Sequence, residues 1–228
     1  MLTKKKKLSK KEIKEDKLVS LYYKAYGYYD ENKSRILYYA AGIVVVIAAI
    51  AFYLYRHNQQ NIQAGIELSR VIPVYDSGSF LEAIEGQAGT NNVGLRKIVE
   101  DFGSTENGET AKIYLANSYN MLGKYDDAFK YYKDYSGSLD MYKATALGGQ
   151  ADYYSSKGEY EKAADLYSKA SRVSKNDMLN PDYLLQAGIN YLQAGKSSEA
   201  KEMFKTIAKD YTTTPANREA NKYLTELE

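Results

Sequence analysis

Cysteine and tryptophan are absent from the 228 residues, and histidine occurs once. Without cysteine there is no disulfide framework, no cysteine-bound zinc and no thiol nucleophile, and the redox compartment stays open. The single histidine, His57, stands beside Arg56 with no second histidine to form a metal or catalytic pair, and reads as a structural residue. No GxGxxG or phosphate-binding loop is present; "EGQAG", Glu85 to Gly89, is a turn. The acidic pairs Asp126/Asp127 and Glu159/Glu161 fall where second helices of hairpins begin. Carboxylates there complement a helix N-terminus and need no catalytic explanation. The reading is of a non-enzyme with no catalytic, cofactor-binding or metal residues.

Charge is scarce in one place and lopsided elsewhere. Ile36 to Tyr55 is twenty residues without a charge. At 1.5 Å per residue a helix of that length spans about 30 Å, the hydrocarbon thickness of a bilayer. Tyr38, Tyr39, Tyr53 and Tyr55 mark its ends, as in an interfacial aromatic belt, and Arg35 and Arg56 flank it. Residues 1–35 hold eleven Lys/Arg against five Asp/Glu (net +6), and residues 56–228 hold twenty against twenty-four (net −4). The positive-inside rule puts residues 1–35 in the cytoplasm and the C-terminal body across the membrane. "AFYLYRHN" offers no small-residue cleavage site, so the span reads as an uncleaved anchor. An acidic body argues against nucleic acid as a partner. In the head, Leu18, Leu21, Tyr22, Ala25 and Tyr29 share one face of a possible amphipathic helix, lying on the inner leaflet or on a partner. Ala41/Ala48 and Gly42/Ala49 are small faces along the anchor that suit helix packing.

The body repeats itself. "GKYDDAFKYY" (Gly123 to Tyr132) and "GEYEKAADLY" (Gly158 to Tyr167) share one frame, and a third copy ends in "YLLQAGINYLQAGKSSEAKEMF". The turn glycines Gly123, Gly158 and Gly195 are spaced 35 and 37 residues apart. Each frame predicts a helical hairpin. Ala116, Ala151 and Gly188 are small where the second helix crosses. Tyr119, Tyr154 and Tyr191 fill the space beside them, and the glycines end the first helix in a left-handed conformation. Ala128, Ala163 and Ala200 are small on the returning helix; Tyr132, Tyr167 and Phe204 pack toward the next repeat. Asn180-Pro181 is expected to cap and start a helix, and "TTTP", ending at Pro215, to close the third pair. The expected organisation is a basic cytoplasmic segment 1–35, a transmembrane helix 36–55, and membrane-proximal helices forming a degenerate first repeat over 56–108. Three hairpins over 109–215 and a C-terminal capping helix 216–228 follow.

A period near 34 with paired helices resembles the tetratricopeptide repeat family over about 109–215. Lys112, Leu147 and Leu184 stand where that family usually has tryptophan, and Ser197 stands where the other copies have Tyr125 and Tyr160. The fold class is then all-α: one N-terminal transmembrane helix followed by a tetratricopeptide helix-hairpin solenoid. With its basic head, anchor and "IVEDFGSTENGETAKIYLANSYNMLGKYDDAF", the chain is also similar to the membrane-anchored tetratricopeptide proteins related to the ancillary subunit of the SecYEG translocon. That resemblance implies a bacterial inner membrane, a periplasmic body and a role with secreted or envelope proteins.

The family resemblance implies that first helices line a concave peptide-binding face. It places Ile113, Asn117, Asn120, Asp152, Ser155, Asp182, Ile189 and Leu192 there. No Lys or Arg is among them, which argues against a clamp for a peptide carboxylate. Two readings follow. One is a tethered scaffold or chaperone-like module for proteins at the translocon or in the periplasm. The other is a structural accessory subunit of a larger inner-membrane complex. Partners are proteins in both.

Overall fold

The computed structural model describes residues 10–174 and 178–227, with side chains from Lys17 onward except Leu18. The lysines at 4–7, and the Leu18 side chain of the expected amphipathic face, therefore lie outside the described residues. Every regular element among the described residues is an α-helix. They are α1 (Lys10–Asp76), α2 (Phe80–Glu85), α3 (Leu95–Phe102), α4 (Glu106–Met121), α5 (Tyr125–Asp134), α6 (Asp140–Ser156), α7 (Tyr160–Val173), α8 (Asn180–Gln193), α9 (Ser197–Asp210) and α10 (Pro215–Glu226). The chain divides into two compact units, Met1–Arg56 and His57–Glu228.

In the first unit the apolar side chains of α1 face outward. Leu37, Ile43, Val44, Val45, Val46, Ile47, Ile50, Phe52 and Leu54 are all exposed. Among the described residues α1 is the one helix long and apolar enough to cross a membrane. A helix satisfies its own backbone hydrogen bonds, so an apolar one is a form that hydrocarbon accepts. Leu21, Tyr22 and Tyr29 on the head are exposed as well, and Tyr22 stacks on Tyr26 with ring centroids 6.2 Å apart.

The second unit is built from hairpins. α4/α5, α6/α7 and α8/α9 are contacting pairs, each joined by three residues. So short a connection makes the two helices antiparallel neighbours. Consecutive pairs also pack, α5 on α6 and α7 on α8, and α10 lies on both α8 and α9. The turns share one chemistry. Gly123, Gly158 and Gly195 have φ of +71°, +78° and +75°. Each glycine N–H bonds back to the carbonyl three residues earlier, at Asn120, Ser155 and Leu192. The next residue's N–H bonds back five, to Tyr119, Tyr154 and Tyr191, at 2.8–2.9 Å. This double bond is the Schellman closure, and it needs a left-handed residue at the glycine position. A Cβ at Gly188 would sit 2.7 Å from Cζ of Phe204, so α9 crosses α8 where only glycine fits.

The core runs through the whole unit. Leu68 and Val71 of α1, Ile84 of α2 and Leu95 and Ile98 of α3 bury with Ile113, Leu115 and Tyr119 of α4. Ala151, Ala163, Tyr167 and Ala187 form a second cluster, and Leu184, Tyr191, Phe204, Ile207 and Ala220 a third. Lys112, at a position where the resembled family carries tryptophan, is buried in an ion pair with Glu109 (2.8 Å), with Asp134 3.0 Å away. Glu109 also accepts from the Ser136 N–H and hydroxyl, which ties the α5–α6 loop down.

Three boundaries differ from the sequence expectation. α4 starts at Glu106, three residues before 109, because Thr105 caps it by accepting from the Gly108 N–H at 3.1 Å. The segment before Pro215 does end the third pair, but the final helix opens one residue earlier than expected, at Pro215 itself behind the Thr214 cap, where its missing N–H costs nothing. Asn180 is not a cap: Leu179 holds that position, and the buried Asn180 side chain donates 2.6 Å to the Ser174 carbonyl, fastening the α7–α8 connection.

Candidate functional site, a polar aromatic groove

A groove of about 440 Å³ runs over the first two hairpins and the start of the third. α4 contributes Asn117, Asn120 and Met121 to it. α6 contributes Thr145, Gly148, Gly149 and Asp152, and α8 contributes Asp182, Tyr183 and Gln186. Tyr75 of α1, Tyr132 of α5 and Tyr167 of α7 complete the lining. Thr145, Gly148, Gly149 and Asp152 follow i, i+3, i+4, i+7 spacing, one stripe of a helix.

The two glycines make the groove possible. A Cβ on Gly148 would lie 2.7 Å from Cε1 of Tyr183, and one on Gly149 would strike the Tyr132 ring. With neither present, rings from α8 and α5 close over α6 from both sides. The tyrosine hydroxyls then meet polar groups on first helices. Tyr132 donates to Asn117 Oδ1 at 2.6 Å, and Tyr167 donates to Asp152 Oδ1. Burial pushes both phenols well above the usual range, with the Asp152 charge adding to the shift. Asp152 is open to solvent, yet the protein packed around it raises its carboxyl, and the Tyr167 hydroxyl offsets this only in part. Among the described residues no lysine or arginine lines the groove.

Four of the eight residues expected on the concave face come together here: Asn117, Asn120, Asp152 and Asp182. The other four do not line it. Ile113 is 1% exposed and belongs to the first core cluster. Ile189 and Leu192 are half-buried against the cluster around Tyr191 and Phe204. Ser155 is half-buried on α6, its carbonyl accepting from the Gly158 N–H. The sequence reading missed Tyr75 and the two second-helix tyrosines. The repeat frame puts Tyr132 and Tyr167 in inter-repeat packing, and the structure adds a hydrogen bond from each to the residue fifteen earlier.

A second cavity of about 620 Å³ lies at the turns of the second and third hairpins, lined by Glu159, Glu161, Lys162 and Asp165 among others. The acidic residues at second-helix starts act between hairpins. Asp126 accepts from the Tyr153 hydroxyl at 2.8 Å, which with Lys157 holds its carboxyl below the usual range, and Glu161 pairs with Lys196. Among the described residues no three His, Asp or Glu side chains gather to hold a metal ion. No protein-family model matches the chain, and no curated protein matches it.

Proposed function

We propose that this chain is a membrane-tethered protein–protein interaction scaffold whose body is a tetratricopeptide solenoid in the bacterial periplasm. The observation that carries the reading is the groove. Side chains from five successive helices, α4 to α8, converge on one concave surface with amide, carboxylate and aromatic groups at hand. Such a mixture suits an extended polypeptide, whose backbone needs hydrogen bonds and whose side chains need apolar contact. The exposed apolar run of α1 supports an inner-membrane tether with the basic head in the cytoplasm. A tether raises the local concentration of clients at the membrane. Exported proteins and translocon components are the proposed partners, on the resemblance carried by residues 98–129.

The test is a photo-crosslinking residue at Asn120 in the full chain, activated in native membranes. Protein adducts at Asn120, absent from a control probe at the exposed Lys209 of α9, are expected, and exported or translocon proteins are expected among them. Adducts confined to the subunits of one membrane complex would make the chain an accessory subunit instead. Equal capture at both positions would remove the groove from the account.

A further inference from the structure

Within that docking reading, we propose that the groove selects extended protein segments bearing a lysine or arginine side chain, seated against Asp152 and Asp182 among the tyrosine rings. Charge complementarity is the first argument. Among the described residues the lining holds two carboxylates and no cation, so a cationic side chain entering it meets opposite charge and polar or aromatic surface. An anionic side chain would meet two like charges, which rejects it.

The rings are the second argument. Tyr75 and Tyr183 line the same space and are only half-buried, while Tyr132 and Tyr167 are buried behind it; tyrosine faces attract lysine and arginine. The chain uses this contact elsewhere: Lys162 lies 3.6 Å above the Tyr154 ring and Lys157 lies 5.0 Å above Tyr153. A volume of about 440 Å³ takes a long side chain with part of its backbone, within the ~300–1,000 Å³ range of ligand clefts. Asn120 and Gln186 offer amides to that backbone. The third argument is gradation along the frame. The tyrosine-to-acceptor pair is Tyr132 with Asn117, then Tyr167 with Asp152, while Phe204 and Ile189 stand in the third position. At this frame position a polar acceptor is present in the first two hairpins and an apolar residue in the third.

The molecule supplies its own control. Asn117 accepts from Tyr132 as Asp152 accepts from Tyr167, so Asp152→Asn preserves the local hydrogen bond and removes only charge. The experiment uses the full chain in nanodiscs and fluorescein-labelled ten-residue Gly/Ser peptides with a central Tyr-X-Tyr. X is lysine, arginine, acetyl-lysine or glutamate. Lysine and arginine peptides should bind about tenfold or more tighter than the acetyl-lysine and glutamate peptides. Asp152→Asn should erase most of that difference without changing acetyl-lysine binding, and Asp182→Asn should do the same. A preserved unfolding midpoint shows that the variants are folded. Equal binding of the lysine and acetyl-lysine peptides would overturn the cation preference and leave the docking surface standing. Lysine selectivity that survives both substitutions would overturn this site. Failure of every peptide, together with no adducts from the Asn120 probe, would sink the docking reading as well.

Discussion

Asp152 carries more of the argument than any other residue. It sits 35 positions after Asn117, and its tyrosine sits 35 positions after Tyr132, so the repeat reproduces a hydrogen bond while exchanging an amide for a charge. The exchange has a stability consequence with a definite sign. The protein packed around Asp152 raises its folded-state carboxyl above its ordinary value of 3.8, although one side stays open to solvent. The folded state then holds the proton more tightly than the unfolded chain, so this group's contribution is most favourable below the ordinary carboxyl range. It is lost as pH rises through the raised folded value. At neutral pH the charge is a liability that asparagine lacks. Asp152→Asn is therefore expected to raise the urea midpoint at pH 7, with the gain shrinking as pH falls toward 4. A midpoint lowered at pH 7 would show that the charged hydrogen bond from Tyr167 outweighs burial. Functional residues that cost stability are a common signature of binding sites.

At the scale of the helix, three Schellman turns and one terminal helix explain why the hairpins hold. The glycine turns were readable directly, because a left-handed position with open space around it admits glycine at no steric cost. α10 has a different task. Its Ala216 and Ala220 are buried and Tyr223 stacks on Phe204 at 4.9 Å, closing the apolar end of the third hairpin. Without α10 the apolar end of the third hairpin would be uncovered. Tyr223→Ala should lower the stability of the second unit by about 1–2 kcal/mol, the worth of a half-buried aromatic ring. Denaturant midpoints, with increased dye binding to exposed apolar surface, would read it. No change in either would mean that α10 is dispensable to the core. The tyrosine contacts across α6 were hidden from sequence reasoning for a physical reason. Which ring reaches over a glycine depends on the crossing of two helices, and a one-dimensional frame does not specify that crossing.

For the whole chain, charge and hydropathy set geography. A head of +6, a neutral twenty-residue span and a body of −4 are the basis of the proposed orientation, by the positive-inside rule. A phosphatase reporter that works only outside the cytoplasm should be active when fused after Glu228. Activity from a cytosol-restricted reporter at the same junction would reverse the orientation and remove periplasmic clients from the proposal. The acidic body also predicts that cationic segments approach faster at low ionic strength.

The amino-acid sequence by itself determined the helical class, the apolar span, the hairpin period and the glycine turns. Each of these is a local rule, a matter of periodicity, length or backbone conformation over a few residues. Four groove residues, Asn117, Asn120, Asp152 and Asp182, were legible because the family resemblance placed first helices on one face. Only the tertiary structure decided the rest: that Ile113 is core, and that Tyr75, Tyr132, Tyr167 and Tyr183 wall one groove. Those outcomes depend on which helix faces cross and how closely, and side-chain volume settles that through packing between segments far apart in the chain.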